Sequence, residues 1–409
     1  MKSKRILFKI WKFPILSETF ILAQIITAIN NGYDVRILVE ELMDLKKSTH
    51  EYLIDKYKIL DKIIFEDYNI PENKFKRILN AFYLILINFN KLTQLIKYLS
   101  FQKKLELKYI YIFHFYSNLE DFDIVHVQYG TNGKPLDLLK KANAFSPKML
   151  ISFHGHDVYF PINGIIPNNG YYDDLFKESN LLIANTPYLR DVLIRLGAQE
   201  NKIKIVPVAV DTEFFKKSDR LVENDMFEII TVGRLEVFKG QILGLQCIKE
   251  LRDKGYPVNY TVVGTGSQDQ KLMDYVSQND LNRCVTFTGR KSQFEIRELL
   301  QNKDLFLMTS ITDPEYGVES QGLVTAEAQA CGVPVIGFDS GGVKYTIANK
   351  ETGYIVEEGN VSEMVNKIEY LIRNKEHLQK MKQNTISYIH ENFSGKVLNR
   401  EWKNIYDSL

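Results

Sequence analysis

Short apolar runs alternate with helix-like runs along this chain from one end to the other. The alternation stops at residues 207–223, which open with a proline and have no clean periodicity, and then it starts again. A repeated β/α alternation predicts parallel sheets with helices on both faces. We therefore predict an α/β fold of two successive Rossmann-like domains. The apolar runs predicted to be strands are residues 5–10, 34–39, 123–127, 148–153, 181–185, 203–206, 227–232, 258–264, 285–288, 305–308 and 333–337.

The chain length fits this division. Two domains of about 200 residues are the usual arrangement for a chain of 409 residues. We place the first domain at residues 1–207 and the second at 208–380, and we expect C-terminal helices at 381–409 to pack back on the first domain. Because ligands of such sheets bind at the carboxyl ends of the strands, two facing sheets would hold a ligand in the cleft between them.

Cysteine content and hydropathy limit the class of protein. The three cysteines include no CxxC pair, which argues against a disulfide framework and against structural zinc, and favours a reducing compartment. Residues 1–13 lack the apolar core of a signal peptide. No apolar run approaches the roughly 18 residues that span a bilayer. We expect a cytoplasmic protein, either fully soluble or peripheral on the inner face of the cell membrane.

Charge is unevenly distributed. Residues 1–210 hold 28 basic and 22 acidic residues, a net charge of +6, whereas residues 211–409 hold 24 and 29, a net charge of −5. Within the first half, residues 71–110 carry eight basic and two acidic residues among many aromatic and aliphatic ones. One interpretation is a helix that binds an anionic membrane surface. The other is that the cations solvate a long helix whose apolar stripe faces the core.

Two glutamates in the second half suggest a binding loop followed by a helix. Glu319 and Glu327 flank the sequence SQGLVTA, which joins a predicted strand to a predicted helix. Free N–H groups of Gly322 and Leu323 at the start of that helix could meet a phosphate. The Glu327 carboxylate could then accept hydrogen bonds from sugar hydroxyls. The alternative is that Glu319 complements the helix dipole and Glu327 is solvated.

A cationic turn precedes this motif. Arg234 follows Gly233 at the end of a predicted strand, and Lys239 lies five residues further on. Two fixed cations could stabilise a departing nucleoside diphosphate without a metal. An ordinary solvent-facing basic turn is the alternative. Glycines at two further strand ends, Gly264 with Gly266 and Gly289 before Arg290, would let backbone approach a ligand, although the dinucleotide fingerprint is incomplete.

Histidines mark a strand end in the first half. The sequence FHGHD places His154 and His156 after a predicted strand, where a histidine can hydrogen-bond a reacting sugar. The alternative for both histidines is a structural hydrogen bond. They could also be read as a pair of metal ligands, but the sequence shows no further ligands to complete such a site. The loop before the first helix contains Ser17, Glu18 and Thr19, which form an N-cap arrangement by default and would also face the cleft.

Together these elements resemble glycosyltransferase family 4 over nearly the whole chain. Members carry a Gly-Arg-Leu turn followed by Lys-Gly, and a Glu-x7-Glu motif that continues as Ala-x-Ala-x-Gly-x-Pro-Val, here residues 327–335 (EAQACGVPV) and then Gly341-Gly342. The loop FPILSETF at 13–20 is similar to the branch that builds exopolysaccharide, colanic-acid or capsule-type polymers. Ser320 replaces a common glycine and Lys344-Tyr345 a common Pro-Glu pair, and both departures bear on the donor sugar.

The resemblance implies a retaining GT-B enzyme that needs no metal or other cofactor. Its first domain would bind the acceptor and its second a nucleotide-sugar. The catalytic residues implied are His154, Arg234, Lys239 and Glu319. The donor-binding residues implied are Gly233, Arg234, Lys239, Gly264, Gly266, Arg290, Glu319, Ser320, Gln321, Gly322, Leu323 and Glu327. Ser17, Glu18, Thr19 and His156 would lie on the acceptor side.

Within that set, Arg234 and Lys239 would bind the diphosphate and Glu327 the ribose, and His154 would sit beside the transferred sugar. We expect a hexosyltransferase for surface polysaccharide or glycoconjugate synthesis. A UDP-sugar is favoured over a GDP-sugar as donor, and the acceptor is a saccharide or a lipid-linked saccharide. We expect no nucleic-acid partner. The rivals are a non-catalytic nucleotide-sugar-binding protein and another GT-B enzyme, such as a phosphorylase or a nucleotide-sugar epimerase.

Overall fold

The computed structural model describes residues 3–14, 19–43, 51–158, 170–218, 225–315 and 317–409. The chain divides into two compact units. Unit 1 comprises the described residues of Met1–Ala184 with Arg190–Ile205 and Glu401–Leu409. Unit 2 comprises those of Val206–Arg400 with the short segment Asn185–Leu189.

Unit 1 contains, in its described part, a seven-stranded parallel sheet in the order β3-β2-β1-β4-β5-β6-β7. The strands are β1 (Arg5–Phe13), β2 (Asp34–Leu42), β3 (Ile63–Phe65), β4 (Ile124–Gln128), β5 (Lys148–Ser152), β6 (Leu181–Ala184) and β7 (Ile203–Ile205). The helices are α1 (Thr19–Asn30), α2 (Glu51–Lys56), α3 (Lys74–Ile87), α4 (Leu92–Ser100), α5 (Lys108–Ser117), α6 (Leu136–Lys141), α7 (Asp173–Glu178) and α8 (Pro187–Arg195), whose first residues cluster with unit 2.

Unit 2 contains, within its described residues, a six-stranded parallel sheet in the order β10-β9-β8-β11-β12-β13. The strands are β8 (Phe227–Val232), β9 (Val258–Val263), β10 (Val285–Gly289), β11 (Leu305–Met308), β12 (Val335–Phe338) and β13 (Gly353–Val356). The helices are α9 (Gln241–Asp253), α10 (Asp269–Gln278), α11 (Gln293–Leu300), α12 (Leu323–Ala330), α13 (Val361–Arg373), α14 (Lys375–Asn392) and α15 (Gly395–Ser408).

The core of unit 2 follows from strand periodicity. Successive strand residues point to opposite faces, so neighbours enter different clusters. Ile229 and Leu307 belong to one cluster, whereas Ile230 and Phe306 belong to the other. Helices α9 and α13 supply residues to the first cluster, and α12 and α14 supply residues to the second. Burial on both faces explains why these strands read as continuous apolar runs in the sequence.

The structure differs from the sequence predictions in residues 71–110. The predicted long helical segment is three helices, α3, α4 and α5, with breaks at Asn88–Lys91 and residues 101–107. The interpretation that an apolar stripe of this segment faces the core is wrong for α3. Phe82 and Leu86 are 60% and 53% exposed, and buried positions of α3 are confined to the opposite face around Ala81.

The C-terminal segment is shared between the units. Residues up to Arg400 cluster with unit 2, and Glu401–Leu409 cluster with unit 1. There Tyr406 is fully buried, and its hydroxyl lies 2.9 Å from His126 Nδ1. The Trp402 ring lies 5.3 Å from the His126 ring, so both aromatic residues at the end of α15 pack on β4. In the described part of the chain, no helix has the length and apolar character needed to cross a bilayer.

Candidate active site

The sheet of unit 2 has a topological switch point between β8 and β11. The chain runs outward from β8 to β9 and β10, and then returns to β11 and continues outward to β12 and β13 on the other side. At such a point the loops that follow two adjacent strands diverge, and ligands of open α/β sheets bind in the resulting crevice. The cationic turn follows β8, and the two-glutamate motif follows β11. Both motifs predicted from the sequence therefore meet at this position.

The turn after β8 groups two cations around one aromatic ring. The Arg234 guanidinium lies 5.9 Å from the Phe238 ring centroid, and Lys239 Nζ lies 5.2 Å from it. Backbone bonds hold the turn, because Leu235 N donates to Thr265 O at 3.0 Å and Gln241 Nε2 donates to Arg234 O at 2.8 Å. The Arg234 side chain remains exposed and can meet a ligand.

Lys239 and Glu319 form an ion pair across the switch point. Their side chains are only 17% and 16% exposed. Thr309, which follows β11, donates its hydroxyl to Lys239 O at 3.0 Å. Gly240 has φ of 61°, and a Cβ there would lie 2.1 Å from Thr309 O. The sequence did not predict this ion pair. It places Lys239, predicted to bind the diphosphate, in contact with Glu319, predicted to bind the donor.

The Glu319–Ser320 backbone is braced by the glycine pair that follows β12. Gly342 N donates to Glu319 O at 2.7 Å. A Cβ at Gly342 would lie 1.7 Å from Ser320 O, and one at Gly341 would lie 2.3 Å from Glu319 O. A side chain at either position would therefore displace the loop, since the obstructing atoms are backbone and cannot rotate away.

Side chains of the loop are engaged within unit 2, whereas its backbone leads to a helix N-terminus. Gln321 pairs with both backbone groups of Val208 at 2.8 and 3.1 Å. Asn185 Nδ2 donates to Ser320 Oγ at 3.1 Å. Gly322 is the N-cap of α12 with φ of 77°, and it has no side chain to cap the first N–H groups. Leu323 begins the helix, so the backbone N–H groups here are suited to an anion.

Glu327 lies one turn into α12 and is half-buried. Among the described residues its carboxylate forms no hydrogen bond or ion pair. Burial raises its pKa to about 7. A carboxylate that is shielded from water without an internal partner costs stability, which favours a ligand-binding role over the solvated alternative.

The glycines after β9 have a packing explanation. A Cβ at Gly264 would lie 1.8 Å from Gly233 O, and one at Gly266 would lie 2.3 Å from Leu235 O. The loops after β9 and β8 therefore pack backbone against backbone, and the donor-binding role of these glycines stays a prediction. Arg290 is exposed at the end of β10, the edge strand two positions from β8, and its donor-binding role also stays a prediction.

His154 marks the corresponding region of unit 1. The strand order places a switch point between β1 and β4, and β5, which precedes His154, is next to β4. The His154 ring lies 4.8 Å from the Phe20 ring of α1 and 4.7 Å from the Tyr129 ring after β4. Burial lowers the pKa of His154 to about 3, so the imidazole is neutral at physiological pH. A neutral ring can hydrogen-bond a hydroxyl but cannot supply positive charge.

A buried polar network orients His154, and the sequence analysis missed it. His154 Nε2 donates to Gln128 Oε1 at 3.0 Å, since an amide oxygen can only accept. Gln128 Nε2 in turn donates to Gln24 Oε1 at 2.6 Å. His126 lies 2.8 Å from Ser152 Oγ and continues the network to Tyr406. The available signal was two polar residues, two positions apart, in the otherwise apolar strand β4.

A second buried group fixes the loop that carries His154. One Asp157 carboxylate oxygen accepts from the backbone N–H of His154 at 3.0 Å and of Gly155 at 3.1 Å. The other accepts from Gly130 N at 2.7 Å. Burial raises the pKa of Asp157 to about 6 even though these backbone bonds oppose the shift. Asp157 therefore ties the loops after β4 and β5 together.

The structure gives little information on the other residues predicted to lie on the acceptor side. Ser17 and Glu18 lie outside the described residues. Thr19 begins α1. His156 is exposed in the turn after His154. Their roles stay predictions. Among the described residues, no group of three or more His, Cys, Asp or Glu side chains is arranged to hold a metal ion.

Two family models match this chain, and each includes part of these motifs. Residues 212–388 match the model described as glycosyl transferases group 1, and residues 66–214 match the model described as glycosyltransferase family 4. The two matches adjoin, and together they take in the β8–β11 switch point of unit 2 and strands β4 and β5 of unit 1. The chain belongs to glycosyltransferase family 4. The resemblance inferred from the cationic turn and the two-glutamate motif is thereby confirmed.

Two curated relatives align with most of the length of this transferase. It is 26% identical over 366 residues to the amylovoran biosynthesis glycosyltransferase AmsK of Erwinia amylovora, covering 87% of this chain and 88% of the relative. It is 24% identical over 410 residues to the putative colanic acid biosynthesis glycosyltransferase WcaL of Escherichia coli K12, covering 98% and 99%.

Solved structures with the same fold include Anabaena HepE in complex with UDP and glucose, with a TM-score of 0.71, 16% identity and full coverage of both chains. Another is TarM, with a TM-score of 0.71, 13% identity and 98% coverage of both. The fold of the transferase is therefore GT-B, with two Rossmann-like domains, as the alternation of strands and helices predicted.

Proposed function

We propose that this transferase moves a hexosyl group from a nucleotide-sugar, with UDP as the favoured nucleotide, to a saccharide or lipid-linked saccharide, with retention of anomeric configuration and without a metal. One observation carries the proposal. The turn that holds Arg234 and Lys239 and the loop that holds Glu319 meet at the β8–β11 switch point, beside the N-terminus of α12. This is the position at which doubly wound sheets bind nucleotides.

The chemistry of each group fits one part of such a donor. Arg234 and Lys239 would bind the diphosphate together with the first N–H groups of α12, since both suit anions. The Glu327 carboxylate would accept hydrogen bonds from the ribose hydroxyls. Glu319, already bonded to Lys239, would hold the transferred sugar and keep the lysine in place.

In the proposed reaction, the bond between the anomeric carbon and the β-phosphate oxygen breaks while the acceptor oxygen bonds that carbon from the same face. The acceptor hydroxyl proton passes to an oxygen of the departing diphosphate. Arg234 and Lys239 stabilise the charge that develops on the diphosphate. In unit 1, the neutral His154 imidazole would hydrogen-bond a sugar hydroxyl, with Gln128 holding the ring.

The relatives support a class of product. Two of them are named for amylovoran and colanic acid biosynthesis, and the chain matches both along nearly their full length. HepE was solved with UDP and with glucose. Surface polysaccharide synthesis from a UDP-hexose is therefore the function that we propose for this chain.

A donor screen tests the proposal. The melting temperature should rise with one class of nucleotide-sugar when UDP-, GDP- and ADP-sugars are compared, because a ligand stabilises the state that binds it. That donor is then incubated with a saccharide acceptor, and the product anomer is read by NMR. Conversion of the donor without acceptor would instead identify an epimerase. Binding without any turnover across acceptors would indicate a non-catalytic protein.

Metal removal provides a separate prediction. Transfer should continue at an unchanged rate in excess EDTA, because Arg234 and Lys239 supply the positive charge that a divalent ion supplies elsewhere. The assay follows nucleoside diphosphate release with and without the chelator. Loss of activity in EDTA that magnesium or manganese restores would contradict the metal-independent mechanism.

A further inference from the structure

Helix α3 presents an apolar face to solvent. Phe75, Phe82 and Leu86 are 70%, 60% and 53% exposed, and Phe89, just beyond the helix end, is 68% exposed. The exposed apolar residues recur every three to four positions, which is the spacing of one face of an α-helix. Seven residues share this face and we call them the α3 apolar face: Phe75, Ile78, Leu79, Phe82, Tyr83, Leu86 and Phe89; Ile87, also exposed, lies at its edge.

The opposite side of α3 is the one that packs on unit 1. Ala81 is buried, and Arg77 O accepts a hydrogen bond from the Tyr111 hydroxyl of α5 at 2.7 Å. Asn88, at the end of the helix, is buried and lies 3.0 Å from His114 Nδ1, also in α5. The orientation of α3 is therefore fixed by its polar and small residues. Most of its large apolar side chains are left outward, although burying them would stabilise the fold, and only Leu84 and Ile85 are half-buried.

Exposed cations lie on α3 itself, at Lys74 and Lys76, and in the segment that follows it. Residues 71–110 carry eight basic and two acidic residues. Lys91 and Lys108 form ion pairs, with Glu120 and Glu106. Among the described residues, the other lysines of this region have no carboxylate within ion-pair distance, and they are Lys74, Lys76, Lys97, Lys103 and Lys104. The net charge of residues 71–110 is therefore +6, and most of their lysines are not neutralised within the described residues.

We propose that the α3 apolar face docks unit 1 on the surface of an anionic phospholipid bilayer. An outward apolar stripe fits a partner that accepts large hydrophobic side chains, and the exposed lysines of α3 and of the segment after it favour a partner with negative charge. An interfacial membrane surface meets both needs at once. The docking extends the proposed function, because a lipid-linked acceptor would be presented at that surface, but the exposed face and its charge do not depend on that acceptor.

Vesicle binding tests the docking directly. The full chain is mixed with vesicles of phosphatidylcholine alone or with added phosphatidylglycerol, and the sedimented fraction is measured across salt concentrations. We expect binding to the anionic vesicles only, weakened as salt rises. Binding to neither kind, or equal binding to both, would overturn the proposal.

A matched pair of variants assigns the surface. Lys76→Glu with Phe82→Ser should lower the bilayer partition coefficient by about tenfold or more. The control is Lys271→Glu with Met273→Ser on α10, where both residues are also exposed, and it should bind as the wild type does. Unchanged melting temperature and nucleotide binding verify folding in both variants. Equal vesicle binding by the two variants would reject α3 as the docking face.

A site-specific dye gives a second readout. The three native cysteines are free and buried, so a thiol dye should label an introduced surface cysteine selectively. An environment-sensitive dye at Leu86→Cys should shift to the blue with anionic vesicles, and the same dye at Met273→Cys should not. If Leu86→Cys shows no shift, the face does not enter the bilayer. Self-association in solution that the α3 variant abolishes, without vesicle binding, would show that a second copy covers the face.

Discussion

Replacing Arg234 by alanine is expected to lower turnover by about 10²–10³, the usual loss when one preorganised charge-stabilising donor is removed. The guanidinium is exposed, and the backbone of its turn is held by bonds to Thr265 and Gln241. Those bonds involve no Arg234 side-chain atom, so the variant should fold normally. The expected loss is therefore one of catalysis, measured as steady-state transfer from the preferred nucleotide-sugar.

The matched control is Arg283→Ala. Arg283 is also exposed, but it precedes β10 and thus lies at the amino-terminal end of the same sheet. Its replacement should leave turnover within about twofold of the wild type, as expected for a surface position. If Arg234→Ala retains near-normal turnover, or if both variants lose activity equally, Arg234 does not stabilise the departing diphosphate.

Replacing Glu327 by alanine or glutamine is expected to weaken nucleoside diphosphate binding by about 10- to 150-fold. This range corresponds to about 1.5–3 kcal/mol for hydrogen bonds to a charged group. Calorimetry with the free nucleotide measures it. An unchanged dissociation constant would show that Glu327 does not bind the nucleotide and would favour the alternative of a solvated glutamate.

The raised pKa of Glu327 adds a pH test. Because the folded-state pKa of about 7 exceeds the ordinary value of 4.5, folding favours the protonated form. The wild type should therefore lose stability relative to Glu327→Gln as pH rises from about 4.5 to 7. Nucleotide affinity of the wild type should rise over the same interval, as the Glu327 carboxylate forms. In Glu327→Gln, the contribution of this carboxylate to the rise should be absent. Parallel pH profiles for the two proteins would contradict the assignment.

Local patterns predicted the elements that carry the donor site. Strands β8 and β11 have the bounds that the sequence predicted, because each is a mostly apolar run that ends before Gly233 or before the polar residue Thr309, and α12 begins at Leu323 as predicted. Of the four edge strands in the described residues, β3 and β13 were not predicted. Ile63–Phe65 and Gly353–Val356 form by pairing with an existing sheet edge, a tertiary contact that the local sequence does not show.

Contacts between distant residues were beyond the sequence analysis. Lys239 and Glu319 are 80 positions apart, and their ion pair arises only because β8 and β11 become neighbours. The same holds for Gln24 and Gln128, which are 104 positions apart and support His154 through Gln128. Phe238, which lies against both cations, is adjacent to Lys239 in sequence, but an aromatic residue in a turn is not by itself a signal.

Helical periodicity in α3 predicted a helix without showing which side faces the protein. The pattern of Phe82 and Leu86 is typical of a core-facing stripe. The structure turns that stripe outward, because Ala81 and Asn88 form the contacts with α5 instead. An apolar face that packs in the core and one that faces outward have the same helical periodicity. Only the tertiary contacts of the helix distinguish them.

A crystal structure with a bound nucleotide tests the central claim most directly. The ligand should be the nucleoside diphosphate that most raises the melting temperature. We expect the diphosphate to contact Arg234, Lys239 and the first N–H groups of α12, and the ribose hydroxyls to bond the Glu327 carboxylate. An ordered nucleotide bound elsewhere, for example at the ends of β1 and β4 in unit 1, with Arg234 and Glu327 untouched, would contradict the account.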